Sequence, residues 1–329
     1  MKRKRLFRFI LVCYFLLSIA SCAKQEDDSQ GKERVPAADV EMVEHPQITI
    51  PLHPRKDASP LILIKLPPGP FSMGSDKGGS EERPIHPVTI SRAFYLAKYE
   101  TTNAQFAAFL NANGNQDSGG HPCFNQDDAD AQIYLKNGAW RVEEGKGNYP
   151  AVEVTWYGAQ AFCEWAGQKV DSIHGWLPTE AEWEYACRAG TQTEFFWGNL
   201  SQIDAYAWYR HNANGQSHAV GLKQPNPWGL HDICGNVWEW CLDQYSNTYY
   251  EKSPSVDPVN LSDASIPDRV SLNDGTYPYA DTPGIYRILR GGSFTYYANS
   301  CRSASRDRYR PETPDKTIGF RMGGTDATP

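Results

Sequence analysis

The chain has 329 residues, of which 40% are hydrophobic and 22% are charged, and its formal net charge is −7. These proportions exclude a disordered, collagen-like or multispanning chain, and the length suits one large domain or two small ones. Aromatic residues make up 12% of the chain beside 27 glycines and 23 prolines, which predicts a loop-rich globule with a core of large rings. No long run of like charge follows the N-terminus, so we expect no nucleic-acid partner.

The N-terminus has the pattern of an export signal. The basic segment Lys2–Arg5 precedes an apolar stretch of nine residues, Phe9–Leu17, whereas a membrane-spanning helix needs roughly 20. The stretch ends in Ile19-Ala20-Ser21-Cys22, which resembles a bacterial lipobox. We therefore predict a lipoprotein signal peptide over residues 1–21 and an acylated Cys22 that attaches the protein to a membrane. The alternative is an ordinary signal peptide followed by an accidental cysteine.

The residues after Cys22 predict a location in the cell envelope and a tether. Ala23-Lys24 lacks the aspartate that tends to hold Gram-negative lipoproteins at the inner membrane, so we expect an outer-membrane anchor on the periplasmic or the surface face. Residues 22–58 are polar, contain proline and show no periodicity, which is typical of a flexible tether. The folded domain is predicted at 59–325, beginning near Leu61, and is long enough to bury a sizeable core.

Three helices are predicted from capping residues and apolar spacing. The clearest one begins with the capping box Thr179-Glu180-Ala181-Glu182, in which the first and last side chains bond each other's backbone. Thr102 and Thr155 have the same position before two further apolar-periodic segments. The glycines expected just past the three helix ends are Gly114, Gly167 and Gly190.

Short strands and long irregular stretches complete the predicted elements. The candidate strands are Leu61–Ile64, Phe94–Leu96, Ile288–Arg290 and Ile318–Met322. Two stretches, 111–149 and 246–284, contain no clear element, and loops of such length in a compact domain are usually functional or metal-braced. The predicted fold class is α+β, a single loop-rich domain with little regular secondary structure.

Seven stretches, in series over about residues 60–324, resemble the formylglycine-generating enzyme (sulfatase-modifying factor) family. In chain order they are Gly69–Ser75, Tyr99–Asn103, Pro150–Trp156, Leu177–Tyr185, Gly229–Leu230 with Gly235–Trp240, Leu289–Ser293 and Ile318–Arg321. The resemblance implies a C-type-lectin-like core with bound calcium. It does not fix the activity, because this family includes copper-using oxidases that convert a sulfatase cysteine to formylglycine, sulfoxide synthases, and proteins that only bind.

The histidines argue against the sulfoxide-synthase branch. That branch carries an extra helical domain with a histidine-rich iron motif. None of the eight histidines of this chain has an H-x-x-x-H or H-x-E spacing, and the chain has no room for that domain.

The copper chemistry of the oxidases depends on two cysteines five residues apart. The resemblance places the first at Tyr296 and the second at Cys301, and it matches Ser293 to the family's active-site serine. Because paired soft thiolates are what suits Cu(I), copper is not expected here unless Tyr296 or another cysteine substitutes. Whether the chain is an enzyme stays open at this point.

Six cysteines remain beyond Cys13 in the leader and Cys22, namely Cys123, Cys163, Cys187, Cys234, Cys241 and Cys301. An exported compartment permits disulfides, but their connectivity cannot be read from a sequence. The resemblance implies partners for Cys163 and Cys187 at the positions of Met322 and Arg306, which cannot form them. Both cysteines lie on apolar helix faces, so we predict buried free thiols there; Cys301 could instead pair with Cys123.

The resemblance also implies one calcium site. Its ligands map to Asp232, the main-chain carbonyls of Gly235 and Val237, and Glu239, and Ca²⁺ binds hard oxygens of these kinds. The alternative is that the two carboxylates are solvated or paired with arginine.

A further prediction concerns ligand recognition. Arg302, Arg306 and Tyr297 belong to a segment rich in arginine and tyrosine, residues that supply bidentate bonds to carboxylates or sulfates and rigid contact area. Alternatively, these arginines neutralise the domain's own carboxylates. Retroelement-diversified variable proteins use the same fold and display similar positions.

The sequence thus predicts an exported, lipid-anchored domain of this family, braced by calcium. It would modify an exported protein or peptide, with Cys301 and Ser293 at the centre, or bind such a partner or a small polar ligand. A non-catalytic ligand-binding or surface-display protein, including the diversified type, is the alternative.

Overall fold

The computed structural model describes residues 41–52, 60–170, 172–261 and 286–327. The predicted leader, Cys22 and most of the predicted tether lie outside these ranges. Among the residues described, no helix has the length and apolar character to span a membrane.

Thirteen strands and four α-helices are found in the described residues. The strands are β1 Gln47–Ile50, β2 Leu61–Leu66, β3 Gly69–Met73, β4 His86–Ile90, β5 Phe94–Ala97, β6 Ile133–Lys136, β7 Ala139–Val142, β8 Ile173–Trp176, β9 Trp238–Gln244, β10 Arg287–Arg290, β11 Arg306–Tyr309, β12 Ile318–Gly319 and β13 Gly323–Asp326. The helices are α1 Asn103–Asn113, α2 Trp156–Gly167, α3 Glu180–Arg188 and the single turn α4 Ile203–Tyr206. The α+β class is confirmed.

Each long helix is capped at its N-terminus by the predicted threonine. Thr102 and Thr179 form complete capping boxes with Gln105 and Glu182, and the Thr155 hydroxyl accepts a hydrogen bond from the backbone of α2. Such caps satisfy backbone N–H groups that have no partner inside the helix. The residue that ends α3 in the left-handed conformation is Ala189, one residue earlier than the predicted glycine.

Two sheets organise the domain. The first has the strand order β1-β2-β5-β13-β8, and the second has the order β11-β10-β9-β12 with β9 buried along its whole length. Strand β1 lies inside the predicted tether: Ile50 is fully buried and pairs with Leu61, because the apolar alternation in 47–50 continues the sheet. The predicted strand Ile318–Met322 is strand only at its first two residues, and the chain re-enters the first sheet at β13.

Aromatic rings fill the core as predicted. One apolar cluster surrounds α1 and α2, where Phe106 meets Phe320 edge-on at a centroid distance of 5.9 Å. A second cluster surrounds α3 and includes Trp183 and Phe94. Removing a buried ring of this kind, as in Phe106→Ala, costs about 3–5 kcal/mol. The two clusters fix the ends of β9 and β10, from which the candidate site extends.

Candidate functional site

A glycine turn after β10 begins the site. Gly291 and Gly292 both have positive φ values, 98° and 83°. A Cβ atom on Gly292 would lie 2.8 Å from the carbonyl oxygen of Ser300, so only glycine permits this approach of two backbones. The turn therefore packs Ser293 and its neighbours against the segment that ends at Cys301.

The three residues considered for copper chemistry differ in exposure. Ser293 is fully buried, and its hydroxyl lies 3.1 Å from the Thr295 hydroxyl. Tyr296 is 40% exposed, with its ring edge-on to that of Trp238 at 5.3 Å. Cys301 is 1% exposed and ends a one-turn helix. A phenol thus faces solvent while the thiol points into the core.

Neither candidate donor is an anion at neutral pH. Burial, with a smaller effect from Cys187, raises the pKa of the Cys301 thiol to about 12. Burial also raises the pKa of Tyr296, and the nearby carboxylates of Asp307 and Asp315 raise it further. Cu(I) binds paired thiolate sulfurs, and at Tyr296 a hard phenol oxygen stands where the pair needs its other sulfur. The residues present do not fit the copper site of the oxidases.

All six cysteines of the described domain are buried and carry free thiols. Cys163 and Cys187 are both buried, and neither is bonded to another cysteine in this structure. Cys123 and Cys301 belong to different apolar clusters, which does not favour the pairing considered for them. The Sγ atoms of Cys187 and Cys234 lie 3.6 Å apart.

The predicted calcium loop is strained and tightly packed. Asp232 has a φ of 53° and Gly235 a φ of 83°. A Cβ atom on Gly235 would also lie 2.4 Å from the carbonyl oxygen of Trp208. Oδ2 of Asp232 accepts a hydrogen bond from the Gly221 backbone at 2.6 Å. Its Oδ1 is buried and has no hydrogen-bond partner among the described residues.

Glu239 is already well bonded. It accepts hydrogen bonds from Trp183 Nε1 at 2.7 Å and from Arg321 Nε and Nη2 at 2.7 and 2.6 Å. Of the two alternatives given for this carboxylate, calcium binding or pairing with arginine, the structure shows the pairing with arginine. A carboxylate has about four acceptor sites, so one remains for a further ligand.

A third carboxylate, Glu100, adjoins the loop. Its two oxygens accept hydrogen bonds from Asn236 Nδ2 at 2.6 Å and from the Val237 backbone at 3.1 Å. Burial, followed by Asp232 and Glu239, raises the pKa of Glu100 well above its usual range. Burial likewise raises the pKa of Asp232 to about 6.

These three carboxylates form what we call the carboxylate cluster: Glu100, Asp232 and Glu239. Arg321 is the guanidinium that contacts it directly, through Glu239. No group of three His, Cys, Asp or Glu side chains within the described ranges is arranged as a complete metal site, but the implied calcium site uses only two carboxylates together with main-chain carbonyls. The unpartnered oxygen of Asp232 and the excess of negative charge fit a divalent cation.

Two of the predicted recognition residues are not at a surface. Both Nη atoms of Arg302 bond Glu82 at 2.7 and 2.6 Å, and Arg306 bonds Glu180 through Nε at 2.5 Å and Nη2 at 2.9 Å. Both arginines are buried. This corrects the expectation that they bind a ligand, since their donors are committed to internal carboxylates. The alternative, that these arginines neutralise the domain's own acids, is the one that the structure follows.

The third recognition residue is exposed. Tyr297 is 57% exposed, with the Arg210 guanidinium 4.9 Å from its ring centre and the His211 ring 5.6 Å away. The Arg210 backbone donates a hydrogen bond to the Tyr296 carbonyl at 2.9 Å. We call this exposed group of Tyr296, Tyr297, Arg210 and His211 the tyrosine face.

A cavity of about 250 Å³ lies beyond the turn. Its polar lining includes Asp130, Glu143, Lys146 and Lys316, and Phe294, which follows Ser293, forms part of its apolar wall. The other lining residues are Ala129, Ala131, Gln132, Val152, Gly215, Gln216 and Ser217. A cavity of this size and polarity suits a small polar group rather than a large apolar ligand.

The lining of this cavity carries two carboxylates, Asp130 and Glu143, and two lysines, Lys146 and Lys316, with further acids behind it. Glu153, adjacent to the lining residue Val152, is buried with a φ of 58°. Burial raises its pKa to about 7, and Asp128, Asp315 and Asp130 add to that shift. Lys316 is committed to Asp130 at 2.9 Å. The acids behind the wall, together with the commitment of Lys316, shift this balance towards a ligand with a positive charge.

Sequence reasoning missed most of these cavity residues. Half of them come from the irregular stretch 111–149, whose length indicated a functional loop without naming its residues. Glu100 lies within the quoted stretch Tyr99–Asn103, but nothing local shows that its carboxylate reaches a loop more than a hundred residues away.

Comparison with known proteins identifies the family of this chain. A profile of the sulfatase-modifying factor enzyme 1-like domain matches residues 51–323, so the chain belongs to this family. The formylglycine-generating enzyme of Streptomyces coelicolor is 32% identical over 304 residues, covering 78% of this chain and 87% of that protein.

Two further relatives differ from the chain in length or sequence. The serine/threonine-protein kinase pkn1 of Chlamydia pneumoniae is 31% identical over 274 residues, but the chain spans only 37% of its length. Among solved structures, PvdO from Pseudomonas aeruginosa has a TM-score of 0.62 at 23% identity, covering 86% of this chain and all of that one. This last likeness shows the fold alone.

Proposed function

We propose that this protein is an exported, lipid-anchored member of the family that binds a polar, positively charged ligand and lacks the copper oxidation of its relatives. The observation that carries the proposal is the pair of residues at the former copper positions. Tyr296 presents a protonated phenol to solvent, while Cys301 is buried and protonated. The site keeps a contact surface and lacks one of the two thiols.

The tyrosine face and the adjoining cavity supply the binding surface. Tyrosine rings offer large contact area at low entropic cost, and Asp315 is close enough to Tyr296 to affect the pKa of its phenol. Asp315 directly precedes Lys316 of the cavity wall. A ligand that contacts Tyr296 can therefore extend a charged group into the cavity.

The ligand that fits best carries an ammonium or guanidinium group, such as a basic side chain of an exported protein or peptide. Glu143 and Asp130 of the cavity wall offer carboxylates, and the acidic neighbours of Glu153, Asp128 and Asp315, add negative potential behind them. A cation entering this region is attracted by several carboxylates at once.

Calcium has a bracing role in this proposal. Asp232, the carbonyls of Gly235 and Val237, and Glu239 would hold the ion, which supplies positive charge to the carboxylate cluster. The same loop supports the site, because the Gly235 backbone donates to Gly291 and the Phe294 backbone donates to Asn236, both at 2.8 Å. A rigid loop thereby keeps the turn that carries Tyr296 in place.

The membrane anchor rests on the sequence pattern at Cys22, which lies outside the described residues. We expect Cys22→Ala to leave an unacylated precursor in cells fed labelled fatty acid. Cys22→Ser serves as a second test, and label on either variant at the level of the unaltered protein would refute the anchor.

A modifying enzyme is the second candidate function. Its support is that Ser293 and Cys301 are both retained and that the glycine turn packs their segments together. Such an enzyme would act on an exported partner at the same tyrosine face, so ligand binding alone does not distinguish the two functions. A chemically modified partner, which only an enzyme would produce, does distinguish them.

The binding proposal is tested by calorimetry with short peptides. We expect an arginine-containing peptide to bind and the matched peptide with citrulline to bind at least tenfold more weakly. Glu143→Gln should weaken the arginine peptide several-fold, whereas Glu144→Gln, which alters the neighbouring exposed residue outside the cavity, should not. Equal binding of both peptides, or equal effects of both variants, would contradict the proposal.

A further inference from the structure

Two buried cysteines outside the candidate site face each other across the second apolar cluster. Cys187 lies in the last turn of α3, and Cys234 lies in the loop between Asp232 and Gly235. Their Sγ atoms are 3.6 Å apart, and both residues are almost fully buried. Neither is used by the proposed ligand site.

We propose that Cys187 and Cys234 form a disulfide in the exported protein. The observed separation exceeds the length of an S–S bond by about 1.6 Å, a difference that small rotations of two side chains can remove. Cys241 and Cys301 belong to the same apolar cluster and are the competing partners. The contact between Cys187 and Cys234 singles out this pair among them.

The oxidation balances with a disulfide-bearing oxidant, either a thiol oxidoreductase or a small-molecule disulfide. One protein thiolate attacks the oxidant's disulfide and releases one thiol; the second protein thiol loses its proton and displaces the other oxidant sulfur. Two protein thiols lose two electrons, and the oxidant's disulfide becomes two thiols. Since both sulfurs are buried in the folded domain, the exchange takes place before α3 packs against the loop.

The cross-link would connect α3 to the loop that carries Asp232. The two cysteines are 47 positions apart in the sequence, so the bond closes a long loop and restricts the unfolded chain substantially. It would also hold the calcium loop against a helix that begins in a capping box. The proposal is independent of which ligand the tyrosine face binds.

The test uses the full chain exported to the periplasm of a host bacterium. The purified protein is denatured, alkylated without reductant, digested and analysed by mass spectrometry. We expect a cross-linked peptide pair containing Cys187 and Cys234, with the four other domain cysteines alkylated. Alkylation of both residues, or a cross-link from either to Cys241 or Cys301, would overturn the proposal.

Variants separate this bond from its neighbours. Cys234→Ser should abolish the cross-link and the fall of several degrees in Tm that reductant causes in the unaltered protein. Cys241→Ser is the matched control, since it removes a buried thiol of the same cluster. It should leave the cross-link and the effect of reductant on the Tm unchanged. If Cys234→Ser does not fold, the peptide mapping of the unaltered protein still decides the question.

Discussion

Two buried charged regions of this domain are built on opposite principles. Under α3, Glu184 is bonded by Arg188 at 2.7 Å and by Arg290, which also bonds two main-chain carbonyls. In the carboxylate cluster, three acids share the guanidinium of Arg321. Matched buried charges support the fold, whereas the unmatched acids lie where we propose that a cation binds.

The pKa directions follow this difference. Burial alone would raise the pKa of Glu184, but Arg188 and Arg290 lower it below its usual value. In the carboxylate cluster, burial and the neighbouring acids instead raise the pKa values of Glu100 and Asp232. The same residue type is therefore held charged in one region and pushed towards its protonated form in the other.

The largest expected effect comes from breaking the matched region. Glu184→Gln leaves Arg188 buried without its counter-charge and leaves Arg290 only the more distant Glu180 at 3.8 Å. This should lower the free energy of unfolding by about 3–5 kcal/mol. Urea unfolding at neutral pH measures it. Lys65→Met is the control, because its ion pair with Asp326 is partly exposed and should contribute about 0–1 kcal/mol. Equal effects of the two substitutions would contradict the claim that the matched buried charges stabilise the fold more than an exposed ion pair does.

A smaller effect is expected from the unmatched region. If the carboxylate cluster binds calcium, the ion stabilises the fold by about 2.7 kcal/mol at a hundredfold excess over Kd, and chelator should lower the Tm by several degrees. Asp232→Asn should remove most of that sensitivity, while Asp326→Asn, a surface change, should preserve it. An identical melting curve with and without chelator would refute the calcium brace.

The smallest expected effect is a pH dependence at Glu153. Its folded pKa of about 7 exceeds the unfolded value of about 4.3, so the folded state holds a proton that the unfolded state releases between these values. The stability it contributes is complete below about pH 4 and is lost as the pH rises to about 7.

Glu153→Gln should therefore flatten the fall in stability between about pH 5 and about pH 7, measured by urea unfolding at several pH values. The flattening is partial, because Asp232 and Asp243 have raised pKa values of about 6 and about 7 and contribute in the same direction. Glu144→Gln should leave the slope unchanged. A slope for Glu153→Gln equal to that of the unaltered protein would contradict the assignment.

The sequence predicted local features better than distant contacts. Thr102, Thr155 and Thr179 were identified correctly because a cap and its helix lie within four residues. The fate of Arg302 and Arg306 was not, because their partners Glu82 and Glu180 are more than a hundred residues away. Residue types alone cannot tell a surface arginine from one that neutralises a buried acid.

The candidate site shows the same division. The resemblance to the family placed Tyr296 at a copper position, but only the structure shows that Cys301 points into the core and that Arg210 and His211 join the tyrosine face. The cavity residues Glu143 and Lys316 come from segments that are far apart in the chain. No spacing rule brings such segments together.

The central claim, that the site has lost copper oxidation and kept its scaffold, is tested most directly by product formation. The protein, its Tyr296→Cys variant and a Tyr297→Cys control are loaded with Cu(I) and incubated under oxygen with a peptide containing Cys-x-Pro-x-Arg, and the peptide mass is followed. We predict no conversion to formylglycine by the unaltered protein or the control, and conversion or at least stoichiometric copper binding by Tyr296→Cys. Turnover by the unaltered protein that Cys301→Ala abolishes would contradict the account.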